Sequence, residues 1–240
     1  MKSKNLNVLV TGASRGIGNA IVRMISHRCD NLLLTSCHKE TMENAIDDIK
    51  EFYSKNLLSH SADHANPKQA AESIANWAKC NVDCLDALIL DAGIFIDGKL
   101  CDISDEDFVK NMNVNLYVNH YLVKALVDLL RKAETPRVII IGSTAAYGKY
   151  PSVPSYGVAK WALRGYALNL RDELSSENIG VTFVSPGGTF TDMWADENVS
   201  PQRLLEPDDI AKIIDCMFTL SSQAVIEEVI IRPMFGDADE

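Results

Sequence analysis

A tyrosine and a lysine one helical turn apart are the residues of this sequence best spaced for proton chemistry. They lie in Tyr156-Gly157-Val158-Ala159-Lys160, at the start of a predicted helix, so both side chains share one face. A phenol ordinarily titrates near about 10, and a neighbouring ammonium favours the phenolate, which is expected to draw Tyr156 toward the range of a working acid or base. Ser143 follows the apolar run Val138 to Gly142. Its hydroxyl therefore sits at the carboxyl edge of a predicted strand, where open α/β folds bind ligands, and could hold a substrate oxygen. A different chemistry, anion binding, is written in Thr11-Gly12-Ala13-Ser14-Arg15-Gly16-Ile17-Gly18, directly after Val8-Leu9-Val10. Glycines there let the backbone approach a dinucleotide pyrophosphate, and the free N–H groups of a starting helix attract its charge.

Each signal has a bland counterpart. A glycine-rich loop can be an empty strand-to-helix turn, Tyr and Lys four apart occur on solvated helices, and a serine after a strand is often a cap. Their joint occurrence carries the weight.

The elements that must position these residues are legible as a rhythm. Apolar strand-like runs, Leu6 to Val10, Leu32 to Thr35, Leu85 to Leu90, Val138 to Ile141, Val181 to Val184 and Val225 to Ile231, alternate with helix-length segments. The latter are Gly18 to His27, Lys39 to Tyr53, Pro67 to Lys79, Asp105 to Arg131, Ser155 to Ser175 and Pro207 to Leu220. Such alternation implies a parallel sheet with helices on both faces, because parallel neighbours need crossover connections. No repeat, low-complexity stretch or linker divides residues 1–240, so one doubly wound α/β domain is expected, with a short substrate loop over about 188–207.

Taken together, the glycine pattern, the serine thirteen residues before the tyrosine, and Tyr-x-x-x-Lys resemble the short-chain dehydrogenase/reductase family over essentially the whole chain. That resemblance implies a Rossmann-type sheet of about seven strands and hydride transfer between a nicotinamide and a carbonyl or secondary alcohol. It implies that Tyr156 exchanges the proton, Lys160 supports it and binds the nicotinamide ribose, and Ser143 orients the substrate oxygen. Asn115, in Val114-Asn115-Leu116, matches the asparagine that anchors a water-mediated proton relay. Pro186-Gly187-Gly188-Thr189-Phe190-Thr191 resembles the family's Pro-Gly-x-x-x-Thr stretch, making Pro186, Gly187, Thr189 and Thr191 cofactor contacts, with Thr191 on the carboxamide. Gly12, Ser14, Arg15, Gly16, Ile17 and Gly18 are expected at the phosphates, Ser36 and His38 at the adenosine ribose, and Asp63 and His64 at the adenine. One departure stands out. Where the family usually reads Asn-Ala-Gly, this chain has Asp91-Ala92-Gly93, still expected at the cofactor but with a carboxylate in place of an amide.

The second strand ends in Thr35-Ser36-Cys37-His38, without the acidic residue that selects NAD, and Arg15 could reach a 2′-phosphate. NADP is therefore favoured, with NAD as the alternative. Phe95, Ile96, Tyr147, Tyr150, Phe190, Met193 and Trp194 are expected near the substrate mouth and suit an apolar or aromatic small-molecule carbonyl compound. The C-terminal Arg232-Pro233-Met234-Phe235-Gly236 lacks the glycine pair common in ketoacyl carrier-protein reductases, which weighs against 3-oxoacyl thioesters. The other reading is a dinucleotide-sensing scaffold without turnover, although such proteins usually lose the Tyr or Lys kept here.

Composition narrows the partners. Asp and Glu outnumber Lys and Arg by 33 to 23, a field that repels nucleic acid and anionic lipid. No apolar run approaches a membrane span and no signal-peptide pattern opens the chain, so a cytoplasmic protein is expected. The six cysteines include Cys80 and Cys84 but no second pair at zinc spacing, so no metal is predicted. Apolar residues on several faces of the two long helices, among them Tyr117, Tyr121, Leu163, Tyr166 and Leu170, predict a homo-oligomer, a tetramer or dimer by family resemblance.

Overall fold

Apolar runs without polar alternation belong to strands covered on both faces. In the computed structural model, every residue of β4 (Ala87–Leu90) and β5 (Arg137–Ile141) is buried. Around them stand β1 (Leu6–Thr11), β2 (Cys29–Ser36), β3 (Asn56–Ser61), β6 (Gly180–Pro186) and β7 (Glu228–Ile231). The strands form one parallel sheet in the order β3-β2-β1-β4-β5-β6-β7, the Rossmann-type doubly wound arrangement expected. The structure describes residues 5–150, 153–192 and 199–236; Met193 and Trp194, expected at the substrate mouth, lie outside them.

Side chains leave each strand alternately, so the sheet has two cores. From β1, Leu9 enters the core beneath α3 (Pro67–Asn81), α5 (Val118–Leu130) and α6 (Pro154–Ser175). Val8 and Val10 enter the other, beneath α1 (Gly16–Ile25), α2 (Lys39–Lys50) and α7 (Pro207–Met217). β3 is missing from the apolar rhythm of the sequence because it is an edge strand, paired only with β2 and reading Asn-Leu-Leu-Ser-His-Ser.

The segment expected as one helix from Asp105 to Arg131 is broken in register. Ser104 caps α4 (Asp105–Met112), its Oγ accepting the Asp107 N–H at 3.1 Å. A π-helical turn over Asn113–Tyr117 then leads into α5. Such turns insert one residue into the helical phase, and this one leaves Asn115 fully buried. Leu163 and Leu170 of α6 belong to the monomer's own core and Tyr121 and Tyr166 pack against it, whereas Tyr117 stays exposed. Four of the five apolar residues read as oligomer signals are thus accounted for within one chain.

Gly142, between β5 and Ser143, is a glycine of necessity. A Cβ there would lie 2.1 Å from Cζ of the buried Phe183 of β6. Gly142→Ala is expected to destabilise the chain by about 1–3 kcal/mol through overpacking, seen as a lower urea midpoint at unchanged slope. Phe183→Leu in the same chain should recover part of the loss, and a wild-type midpoint in the single variant would contradict this packing.

Candidate active site

The order of strands reverses between β1 and β4, and a crevice must open where the connections part in opposite directions. A cavity of about 510 Å³ lies there. Gly12 and Gly16, which line it, have φ of +69° and +56°, the left-handed region that favours glycine. A Cβ on Gly12 would stand 3.0 Å from the Ala92 backbone, and one on Gly18 would stand 2.4 Å from the Gly12 carbonyl oxygen. The turn is clamped to β4 by Thr11, whose Oγ1 accepts the Asp91 N–H at 3.0 Å and the Ala92 N–H at 3.1 Å. Arg15, at the N-cap of α1, makes no side-chain cap. The first N–H groups of α1 are therefore left for an anion, the fit a pyrophosphate requires.

Ser14, Arg15 and Ile17 line the same wall, while Gly18 is packed beneath it. At the other end stand Ser36, His38, Asp63 and His64. Ser14 Oγ lies 3.0 Å from Ser36 Oγ, which also accepts the His38 N–H at 3.2 Å. The end of β2 thus presents the Ser36 hydroxyl, paired with that of Ser14, and no carboxylate that would repel a 2′-phosphate. Arg15 is exposed and its Nη1 lies 3.1 Å from Asp192 Oδ2 across the mouth. Asp63 accepts the Ala65 N–H at 2.9 Å, and the buried His64, with no partner for Nε2 among the described residues, is pulled down to about 4 by desolvation. Cys37, Ala65 and Ile94 join the lining as neighbours of expected residues. Lys110 and Val114 arrive from α4 and the π turn, with no local signal to announce them.

At the far wall are Asp91, Ala92, Gly93, Tyr156, Lys160 and Thr191. Ser143 stands beside the Tyr156 hydroxyl and favours its phenolate, and its own Oγ accepts the Ala145 N–H at 3.1 Å. Lys160 is buried, donates to the Ile141 carbonyl oxygen at 3.2 Å, and holds Nζ 5.4 Å from the centre of the Tyr156 ring. Burial pushes the Tyr156 phenol above its ordinary value; Ser143 opposes this, while Tyr150 and Asp91 add to it. The sequence expectation of a phenol drawn downward by Lys160 is corrected in sign, because desolvation of the phenolate is the largest cause and only Ser143 opposes it. Burial lowers Lys160 to about 8 against the pull of Asp91. Asp91 itself is raised to about 7 by burial, opposed by the Lys160 charge and by the nearby Gly18 backbone.

Asn115 stands behind the wall rather than in it. Its Nδ2 donates to the Ile94 carbonyl at 3.0 Å and the Asn111 carbonyl at 3.1 Å, and its Oδ1 accepts the Ile94 N–H at 3.3 Å. A Cβ on Gly93 would meet that Oδ1 at 2.9 Å, so the two pack directly. Pro186, Gly187 and Thr189 brace the loop after β6, Thr189 donating to the Gly187 carbonyl at 2.9 Å, and only Thr191 of this stretch reaches the cavity lining. Of the aromatic residues expected at the mouth, Phe95 and Tyr150 flank Tyr156 at 5.3 and 6.1 Å between ring centres, and Phe190 is exposed. Tyr147 instead bonds Glu228 Oε1 at 2.9 Å beneath the Arg164 guanidinium, an internal packing role.

Sheet order, glycine turn and cleft define a Rossmann-type α/β protein with its polar site at the switch point. The family described as short chain dehydrogenase matches residues 6–202, and the chain belongs to it, an oxidoreductase by class. It is 29% identical over 243 residues to a sepiapterin reductase of Chlorobaculum tepidum, covering 97% of this chain and 98% of that one. It is 32% identical over 216 residues to a 3-oxoacyl-[acyl-carrier-protein] reductase of Haemophilus influenzae, covering 86% and 87%. Among solved structures, a metagenomic short-chain oxidoreductase in complex with NADP superposes with a TM-score of 0.84 at 26% identity, over 97% of this chain and 99% of that one.

The raised Asp91 carboxyl has a thermodynamic consequence. Between the ordinary carboxylate range and about 7, the folded chain holds a proton that the unfolded chain has released, so stability falls as pH rises through that window. Asp91→Asn removes the effect. Its melting temperature relative to wild type is expected to climb from pH 5 to pH 8, and a pH-independent difference would show that Asp91 titrates as an ordinary carboxyl.

Proposed function

We propose that this chain is an NADP-preferring carbonyl reductase in which Tyr156 donates the proton to the substrate oxygen. The carrying observation is the Tyr156 phenol, set beside Ser143 and the buried Lys160 in the wall of a cleft that fits a dinucleotide. When bound, the reduced nicotinamide supplies hydride to the carbonyl carbon. The chain's own residues do the rest. Ser143 holds the carbonyl oxygen beside the phenol, and Tyr156, kept protonated by burial, delivers its proton as negative charge grows on that oxygen. A phenol raised in this way is poised as an acid, which supports the reductive direction. Lys160 then stabilises the phenolate left behind, and Asn115 holds the Gly93–Ile94 wall against which Lys160 sits.

NADP rather than NAD is supported by the Ser14–Ser36 hydroxyl pair, by the lack of a carboxylate at the end of β2, and by Arg15. Arg15 would exchange Asp192 for the 2′-phosphate, a stronger acceptor for a guanidinium. Phe95 and Tyr150 beside Tyr156 favour a flat or aromatic carbonyl substrate. No helix among the described residues is long and apolar enough to cross a membrane, and a cytoplasmic site of action is part of the proposal. So is a homo-oligomer, supported by the exposed Tyr117, Val158, Trp161 and Leu168 on the π turn and α6.

Tyr156→Phe is expected to reduce turnover of a carbonyl panel (aldehydes, ketones, quinones, a pterin ketone and β-ketoacyl thioesters) by about 10²–10⁴-fold while cofactor binding persists. Turnover near the wild-type rate would remove Tyr156 from the reaction. Arg15→Gln is expected to lower kcat/KM for NADPH by about 10–100-fold with NADH little affected; an equal loss for both would rule out a 2′-phosphate contact. Light scattering at micromolar concentration is expected to give a dimer or tetramer, and a monomer alone would refute the oligomer.

A further inference from the structure

The sheet has a second polar site, at its opposite edge. Where β5 and β6 begin, a cavity of about 120 Å³ is lined by Arg137, Arg171, Asn178, Gly180, Ser222 and Ala224, among others. Arg137, the first residue of β5, is only 7% exposed. Its Nη1 and Nη2 both point to a single acceptor, the Ala224 carbonyl oxygen, at a long 3.5 Å each. Among the described residues no carboxylate pairs with it, and burial alone acts on it, lowering its pKa. Arg171, on α6, pairs one Nη with Glu227 but leaves its buried Nε without a partner among the described residues. Two neighbouring polar side chains are committed elsewhere, Asn178 donating to the Glu134 carbonyl at 3.3 Å and Ser175 to the Asp172 carbonyl at 2.8 Å.

Buried cations in proteins are paired or pay a large desolvation cost, and guanidinium groups match the planar and tetrahedral oxygens of carboxylates and phosphates. We propose that this cavity is a binding site for a small oxyanion, a phosphate or a carboxylate, held between the Arg137 guanidinium and the free Nε of Arg171. The site is remote from the cleft described above yet shares an element with it. Arg137 begins β5, and Ile141, which ends the same strand, lines the cleft just ahead of Ser143. An occupied lower site would stiffen the start of the strand whose other end carries that serine.

The test is a thermal-unfolding titration of the full chain with inorganic phosphate and, separately, with malonate, each against sodium chloride at equal ionic strength. A saturable rise in melting temperature is expected, about 5–10 °C at a hundredfold excess over Kd. Arg171→Gln, a change at a partly exposed helix position, should abolish most of it. Response to phosphate alone or to malonate alone would support the site and say which oxyanion it takes. The site is overturned if neither anion exceeds the chloride control, or if Arg171→Gln responds as wild type does, since the anion would then be held elsewhere. Crystals soaked in sodium selenate give an independent readout: an anomalous peak between Arg137 and Arg171 is expected, and its absence there, with selenate seen only in the cleft, would also sink the proposal.

Discussion

The whole site depends on a close backbone approach between the turn after β1 and the end of β4. Thr11 Oγ1 accepts two consecutive N–H groups from Asp91 and Ala92, and the Asp91 carboxyl in turn packs against Gly18. This three-way clamp leaves no room for a Cβ on Gly12 or Gly18. Because the turn is pulled that tightly onto β4, the first turn of α1 starts at the sheet edge with its N–H groups turned to the crevice and uncapped by any side chain. The cavity is the space left between that helix start and the wall opposite.

Burial governs the charges in that space. Asp91, Tyr156 and Lys160 all shift toward their neutral forms, and in each case desolvation is the largest cause. The carboxylate and the ammonium resist one another's neutralisation, so the two form a coupled pair beside the phenol. A carboxylate here ties the protonation of the wall to the surrounding pH. Clamp and charge meet in one residue, since Asp91 both packs against Gly18 and faces the Lys160 field.

The proton donor is held from a different direction. Ser143 reaches Tyr156 because Gly142 lets β5 pass over Phe183 without a side chain of its own. Lys160 is anchored to the same strand through the Ile141 carbonyl. The end of β5 thus sets the position of both partners of the tyrosine.

Much of this was legible in the sequence. Central strands appear as apolar runs because both of their faces are covered, and the Tyr156–Lys160 spacing and the glycine turn are short-range patterns that a single helix or turn enforces. What lay beyond the sequence depends on residues far apart in it. β3 is a strand only because β2 offers it an edge, for its own residues carry no apolar run. Asn115 is set behind Gly93 by a π turn whose register follows from packing. Asp91 meets Thr11 across 80 positions of chain. The sign of the Tyr156 shift is set by the folded volume in the same way. Spacing reveals that a lysine is near a tyrosine, whereas the extent to which each is desolvated is decided only when the sheet and helices close around them. Local periodicity and turn chemistry are properties of neighbouring residues and can be read along the chain; desolvation and long-range contact are properties of the folded volume.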